Sequence, residues 1–144
     1  MKDKDNDSAP GRGFLLDTSA IVALLEDEAG AERVQYILRH ETVLLPFLVS
    51  LEIYYVTLQK SGEDAANARY AMLKALNAVS LNEVSEPVLL TAGRFKARYP
   101  ISLADALIAA FAHQHGAVLV HKDPEYEALE DQVRQERLPY KSKH

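Results

Sequence analysis

Phe14-Leu15-Leu16-Asp17-Thr18-Ser19-Ala20-Ile21 is the stretch on which the fold turns. Three apolar residues make a short strand, an acid stands just past its carboxyl end, and a helical pattern through Ile21, Leu24 and Leu25 follows at once. The arrangement returns late in the chain. Ala117-Val118-Leu119-Val120 is another apolar strand, and it runs into Asp123-Pro124 and a short helix. Between the two, the pattern predicts a helix over 31–40, a strand over Thr42-Val43-Leu44-Leu45 stopped by Pro46, and a strongly apolar helix over 47–60 closed by Ser61-Gly62. It then predicts helices over 63–77 and about 85–97, a short strand at Val79-Ser80-Leu81, and a helix from Ser102 to His115 that Gly116 terminates.

Short apolar strands alternating with helices mark a parallel sheet covered on both faces. The expected class is therefore α/β, a single-domain three-layer α/β/α sandwich with four to five parallel strands over residues 14–140. Residues 1–13 and 141–144 are expected to be polar tails. In such sheets the strands' carboxyl ends share one edge, and ligands bind there, particularly where strand order reverses. If strands 14–16 and 117–120 are neighbours, Asp17 and Asp123 meet at that edge.

Composition narrows the chemistry. A chain of 144 residues is the usual size of one domain, and it has no cysteine, which removes disulfides and thiolate metal sites. No apolar run approaches the roughly 20 residues that span a bilayer, and Met1–Gly13 is too polar for a signal peptide, so a soluble, cytoplasmic protein is expected. The net charge of −5 argues against broad electrostatic capture of nucleic acid, yet it suits an enzyme that gathers its negative charge at a metal site.

Each candidate acid also has an ordinary structural explanation. Asp17 and Asp123 both stand where an N-cap is wanted. Ser102-Leu103-Ala104-Asp105 resembles a capping box, in which the acid reaches back to a free backbone amide. The box prefers Glu, however, and the helix that follows, Ala106 to Ala112, is apolar on every face and so buried, which turns Asp105 toward a crevice. Glu52 lies among Leu48, Val49, Leu51, Ile53, Tyr54, Tyr55 and Val56, where an acid needs a cationic partner, a proton or a metal. Taken together, several converging carboxylates without Cys and with no obligatory His make an oxygen-only site suited to Mg²⁺ or Mn²⁺.

Four segments carry a family resemblance: Phe14 to Ala20, Ser50-Leu51-Glu52-Ile53, Ile101 to Ala110, and Val118-Leu119-Val120-His121-Lys122-Asp123-Pro124-Glu125-Tyr126. Over about 14–140 the chain resembles the PIN domain, and more narrowly the VapC-type toxin ribonucleases. The resemblance implies a five-stranded parallel sheet and a divalent ion held by Asp17, Asp105 and Asp123, with Glu52 assisting directly or through water. It further implies endonucleolytic cleavage of RNA, homodimerisation, and neutralisation by a VapB-like antitoxin. Ser19 stands where Asn is frequent, and His121 where Thr or Ser is usual, beside the site. Thr18, Ser19, Ser102 and His121 are secondary candidates for this reason.

Arg94 and Arg98 share a helical face and are candidates for RNA phosphates, with a solvated face as the plainer reading; Lys122 is a similar case. His113 and His115, two apart on a helix, do not face each other as zinc ligands would. Glu26-Asp27-Glu28 reads as a helix end in water. A phospho-acceptor domain would need adjacent acids after the first strand, and a nucleotide-binding domain a Gly-rich loop; neither is present. The remaining alternative is a catalytically silent PIN-like scaffold that binds RNA or a protein.

Overall fold

The computed structural model describes residues 13–141, so the tails expected over 1–13 and 141–144 lie almost wholly outside the described residues. The elements are β1 (Phe14–Leu16), α1 (Thr18–Leu25), α2 (Ala31–His40), β2 (Val43–Pro46), α3 (Phe47–Ser61), α4 (Glu63–Ala75) and β3 (Val79–Leu81). Then follow α5 (Glu86–Arg98), α6 (Leu103–His115), β4 (Val118–His121), a 3₁₀ turn (Pro124–Leu129) and β5 (Gln135–Arg137). All five strands are parallel, in the order β3-β2-β1-β4-β5.

This order decides where the site lies. The chain moves outward from β1 to β2 to β3, then returns to the other side of β1 to lay down β4. Strand order therefore reverses between β1 and β4, which pair through Phe14 with Val118 and Leu16 with Val120. Right-handed crossovers in opposite directions put helices on opposite faces, so β1 and β4 are covered on both sides. Their residues are accordingly apolar without alternation: Leu15, Leu16, Leu119 and Val120 are buried, and all of Val43–Pro46 in β2 is as well.

The helices differ in how much they bury. In α6, Ala106 and the run Ile108–Ala112 are buried, and small alanines let that helix sit close against the sheet. In α3 only Val49, Ile53 and Thr57 are buried, one face of a helix that is apolar nearly all round. Gly116 closes α6 with φ 63°, the left-handed conformation that glycine adopts at least cost.

The fifth strand has no apolar signal. Gln135, Glu136 and Arg137 are held by particular partners instead. The amide of Leu138 donates to the carbonyl of His121 at 2.8 Å, and that of Leu119 to Arg134 at 2.9 Å. The guanidinium of Arg33 in α2 grips the Glu136 carboxylate through two bonds, 2.6 Å and 2.9 Å. Among the described residues no helix is long and apolar enough to cross a membrane.

Candidate active site

Asp17 and Asp123 each stand just beyond a strand end, and the pairing of β1 with β4 brings them to one cleft of about 640 Å³. That cleft is also lined by Thr18, Ser19, Glu52, Ser102 and Asp105, and by the group Glu28, Lys122 and Lys141. Asp17 caps α1 as expected: its Oδ1 accepts from the amide of Ala20 at 2.9 Å. Capping does not exhaust it, because the residue is 2% exposed and shares the cleft with Glu52, Asp105 and Asp123. Burial pushes its carboxyl up to about 7; bonds from the Ser19 hydroxyl and the Ala20 amide pull it down, and the charge of Asp123 pushes it up.

Ser19 does more than stand beside the acid. Its hydroxyl donates to Asp17 Oδ1 at 2.7 Å and accepts from the backbone amide of Lys122 at 2.8 Å. It thereby ties the end of β1 to the end of β4. Thr18 donates its hydroxyl to a carboxylate oxygen of Glu52, so a neutral donor, rather than the cation expected as the alternative to metal, meets that acid. Glu52 is half-buried and lines the cleft from α3.

At the start of α6 the capping box is only half made. Ser102 accepts from the amide of Asp105 at 3.2 Å. The reciprocal bond, from the amide of Ser102, goes to Oε1 of Glu125 at 3.1 Å instead of to Asp105. Asp105 is left turned into the cleft, where the hydroxyl of Tyr126 donates to its Oδ1 at 3.0 Å. Its carboxyl is pushed up to about 8, first by burial and next by a hydrogen bond shared with Glu125; the charges of Asp123 and Asp17 add to the rise. Glu125, the more exposed of the pair, is held down by the same bond with Asp105. The buried acid keeps the proton, as desolvation requires.

Carboxylate oxygens of Asp105, Asp123 and Glu125 lie within 4.8 Å of one another. A set of hard oxygen donors at that spacing fits Mg²⁺ or Mn²⁺. Asp123 also caps the 3₁₀ turn, accepting from the amide of Glu125 at 2.9 Å, so the turn holds two of the three acids in register.

His121 does not line the cleft. It is fully buried, with Nδ1 accepting from the amide of Asp123 at 3.1 Å and Nε2 at 2.8 Å from Oε1 of Gln135. Gln135 donates its Nε2 to the carbonyl of Tyr126 at 2.8 Å, which leaves Oε1 as an acceptor and assigns the ring proton to Nε2. Burial lowers the pKa of this imidazole. Arg94 and Arg98 lie exposed on α5 and do not line the cleft; Arg94 donates to the Thr91 hydroxyl at 3.1 Å. His113 places Nδ1 2.8 Å from the carbonyl of Gln132.

The model of the PIN domain matches residues 14–132. The chain belongs to the PIN-domain family. No curated protein matches it by sequence. Among solved structures, VapBC2 of Rickettsia felis bound to a promoter DNA fragment is similar, at 14% identity and a TM-score of 0.72, over 88% of this chain and 98% of that one. VapBC-1 of nontypeable Haemophilus influenzae aligns at 22% identity and a TM-score of 0.69, over 86% and 96%. VapC20 of Mycobacterium tuberculosis, a Sarcin-Ricin loop cleaving toxin, aligns at 20% identity and a TM-score of 0.65, over 81% and 94%. At these identities the likeness establishes the fold.

Within this PIN domain, sequence reasoning missed Glu125 and Tyr126 as parts of the site. The cue was an acid at the second helical position after Asp123, near enough to share its cleft. It also missed Glu28, which is no helix end in water. The carboxylate of Glu28 meets Nζ of Lys122 at 3.3 Å and Nζ of Lys141 at 3.0 Å.

Proposed function

We propose that this PIN domain is a divalent-metal-dependent endoribonuclease, the toxin of a toxin–antitoxin pair, with RNA as substrate and a VapB-like antitoxin as partner. The observation that carries the reading is the group of oxygens from Asp105, Asp123 and Glu125, within 4.8 Å of one another at the strand-order reversal, with Asp17 buried behind them. Asp105 and Asp123 would hold Mg²⁺ or Mn²⁺ with Asp17, and Glu125 and Glu52 would complete the set directly or through water. A bound ion supplies an activated water and neutralises charge that builds up at phosphorus.

The chain's own contribution is positioning. Ser19 fixes Asp17 against β4, Tyr126 orients Asp105, and Thr18 orients Glu52. To hold such an ion Asp105 would be ionised, because ligating carboxylates must be deprotonated. The resemblance to VapBC assemblies and to a Sarcin-Ricin loop cleaving toxin supports the toxin reading. A homodimer in the cytoplasm is the setting proposed with it.

The test is incubation with a mixed RNA pool, with and without Mg²⁺ or Mn²⁺, and mapping of the cut ends. Internal cuts that vanish with chelator are expected. Full activity in excess EDTA would overturn the metal requirement. RNA retained but uncut under every metal would return the reading to a silent scaffold.

A further inference from the structure

An acidic cleft needs positive charge somewhere if it is to hold RNA. Among the described residues only two cations line it, Lys122 and Lys141, and both are pinned on one carboxylate, Glu28. The Lys122 side chain is 5% exposed, and its Nζ also donates to the carbonyl of Ala29 at 3.0 Å, so it is held at a fixed point of the cleft wall. The ammonium of Lys141, and after it that of Lys122, keeps the Glu28 carboxyl below the usual carboxylate range.

Two ammonium groups converging on one anionic carboxylate in a substrate cleft present the donors that a phosphodiester takes. We infer that Lys122 and Lys141 form a binding subsite for an RNA backbone phosphate, and that Glu28 occupies it as an internal stand-in until RNA displaces it. The inference rests on the ribonuclease reading above. Lys122 directly precedes Asp123, and both line the cleft with Glu28 and Lys141, so the subsite takes a phosphate beside the one at the acidic cluster. Exchanging a carboxylate for a phosphate there leaves the buried ammonium of Lys122 paired throughout, so it is never an uncompensated, desolvated cation.

The test measures binding of a fluorescent single-stranded RNA in an Asp105→Asn background, alongside Mn²⁺-dependent cleavage by the chain with Asp105 intact. Glu28→Gln frees both lysines and is expected to tighten RNA binding severalfold. Lys141→Ala is expected to weaken it by up to about fivefold, the range of a single exposed ion contact, and Lys141→Arg to restore it. Lys141→Ala should also flatten the dependence of log Kd on log salt by about 0.7, the loss of one single-strand phosphate contact. Glu83→Gln, an exposed acid outside the cleft, gives the same change in net charge and separates the subsite from bulk electrostatics. Lys141 carries the test even if Lys122→Ala fails to fold.

Equal tightening by Glu28→Gln and Glu83→Gln, or an unchanged salt slope in Lys141→Ala, would overturn the subsite while leaving the nuclease reading intact. The full pattern of binding effects without any cleavage would keep the subsite and remove the nuclease. Wild-type protein that neither binds nor cuts RNA would remove both.

Discussion

The backbone amide of Ser102 donates its hydrogen to Oε1 of Glu125, 3.1 Å away and 23 residues further along the chain, in the place a capping box gives to Asp105. One hydrogen bond thus relieves Asp105 of a helix-capping duty that its position in sequence assigns to it. The amide of Asp105 still donates to Ser102, so the cap survives, and the carboxylate is released to the cleft.

The first prediction follows for Asp105→Asn. Its cap bond uses the backbone and persists, while an acid that burial and neighbouring charges push up to about 8 is replaced by a neutral amide. Without metal, at neutral pH, Asp105 is already largely protonated, so the variant should melt no lower than wild type. Above about pH 8, where Asp105 ionises beside Asp17 and Asp123, the variant should melt higher. With Mn²⁺ at about a hundred times its Kd, wild type gains about 2.7 kcal/mol by mass action, and the variant should lose most of that gain. Differential scanning calorimetry decides it. A variant that melts clearly lower without metal, yet keeps the full metal-dependent rise, would make Asp105 a structural residue.

The pH dependence of the metal-free protein is the second. Asp17 rises to about 7 and Asp105 to about 8 from an ordinary 3.8, so the folded chain binds these protons more tightly than the unfolded one. Stability from this source is fully present below the unfolded value and is lost as pH rises through the folded ones. The melting temperature without metal should therefore fall between about pH 5 and about pH 8. Mn²⁺ should offset the fall, since its affinity rises as its ligands deprotonate. A metal-free profile that climbs over this range would contradict the burial of the two acids.

What the sequence could disclose tracks how local each signal is. Leu15, Leu119 and their neighbours are apolar because both faces of their strands are covered, and runs of that kind read directly as parallel strands. The meeting of Asp17 with Asp123 was legible too, since strand-order reversal is a rule of topology. Gln135-Glu136-Arg137 was not, because that strand is held by Arg33 and His121 from elsewhere in the chain and carries no apolar pattern. Glu125 escaped for the same reason: the bond that gives it a role reaches a residue distant in sequence. The sequence places His121 beside the site; it ends a strand covered on both faces, is fully buried and does not line the cleft.

The third prediction concerns association. Leu51, Tyr55 and Leu58 are 51%, 45% and 39% exposed, and their spacing sets them along one face of α3. An apolar stripe of this kind, left bare, marks a surface that meets another protein. Sedimentation equilibrium should give twice the monomer mass of 16.0 kDa. Leu51→Glu combined with Tyr55→Lys should return the monomer with its fold intact. A wild-type mass of 16.0 kDa held across micromolar concentrations would refute the dimer.

The last prediction addresses the buried ring of His121. His121 accepts the amide hydrogen of Asp123 and donates to Gln135, which in turn donates to the carbonyl of Tyr126, the residue whose hydroxyl orients Asp105. The ring also packs against that of Tyr126, with centroids 4.9 Å apart. His121→Thr would place a hydroxyl there that cannot span both partners and would leave part of the ring volume empty. It should cost about 2–4 kcal/mol in metal-free urea denaturation, combining a cavity with unsatisfied buried groups. Gln135→Leu removes one link of the same chain, so the double variant should fall short of additivity by at least about 0.5 kcal/mol. Because Asp123 loses its backbone anchor, Mn²⁺ affinity, measured by calorimetric titration, should weaken by tenfold or more, the scale seen when groups that orient metal ligands are removed. A His121→Thr protein of undiminished stability that binds Mn²⁺ as tightly as wild type would mean that Asp123 is positioned by its turn alone.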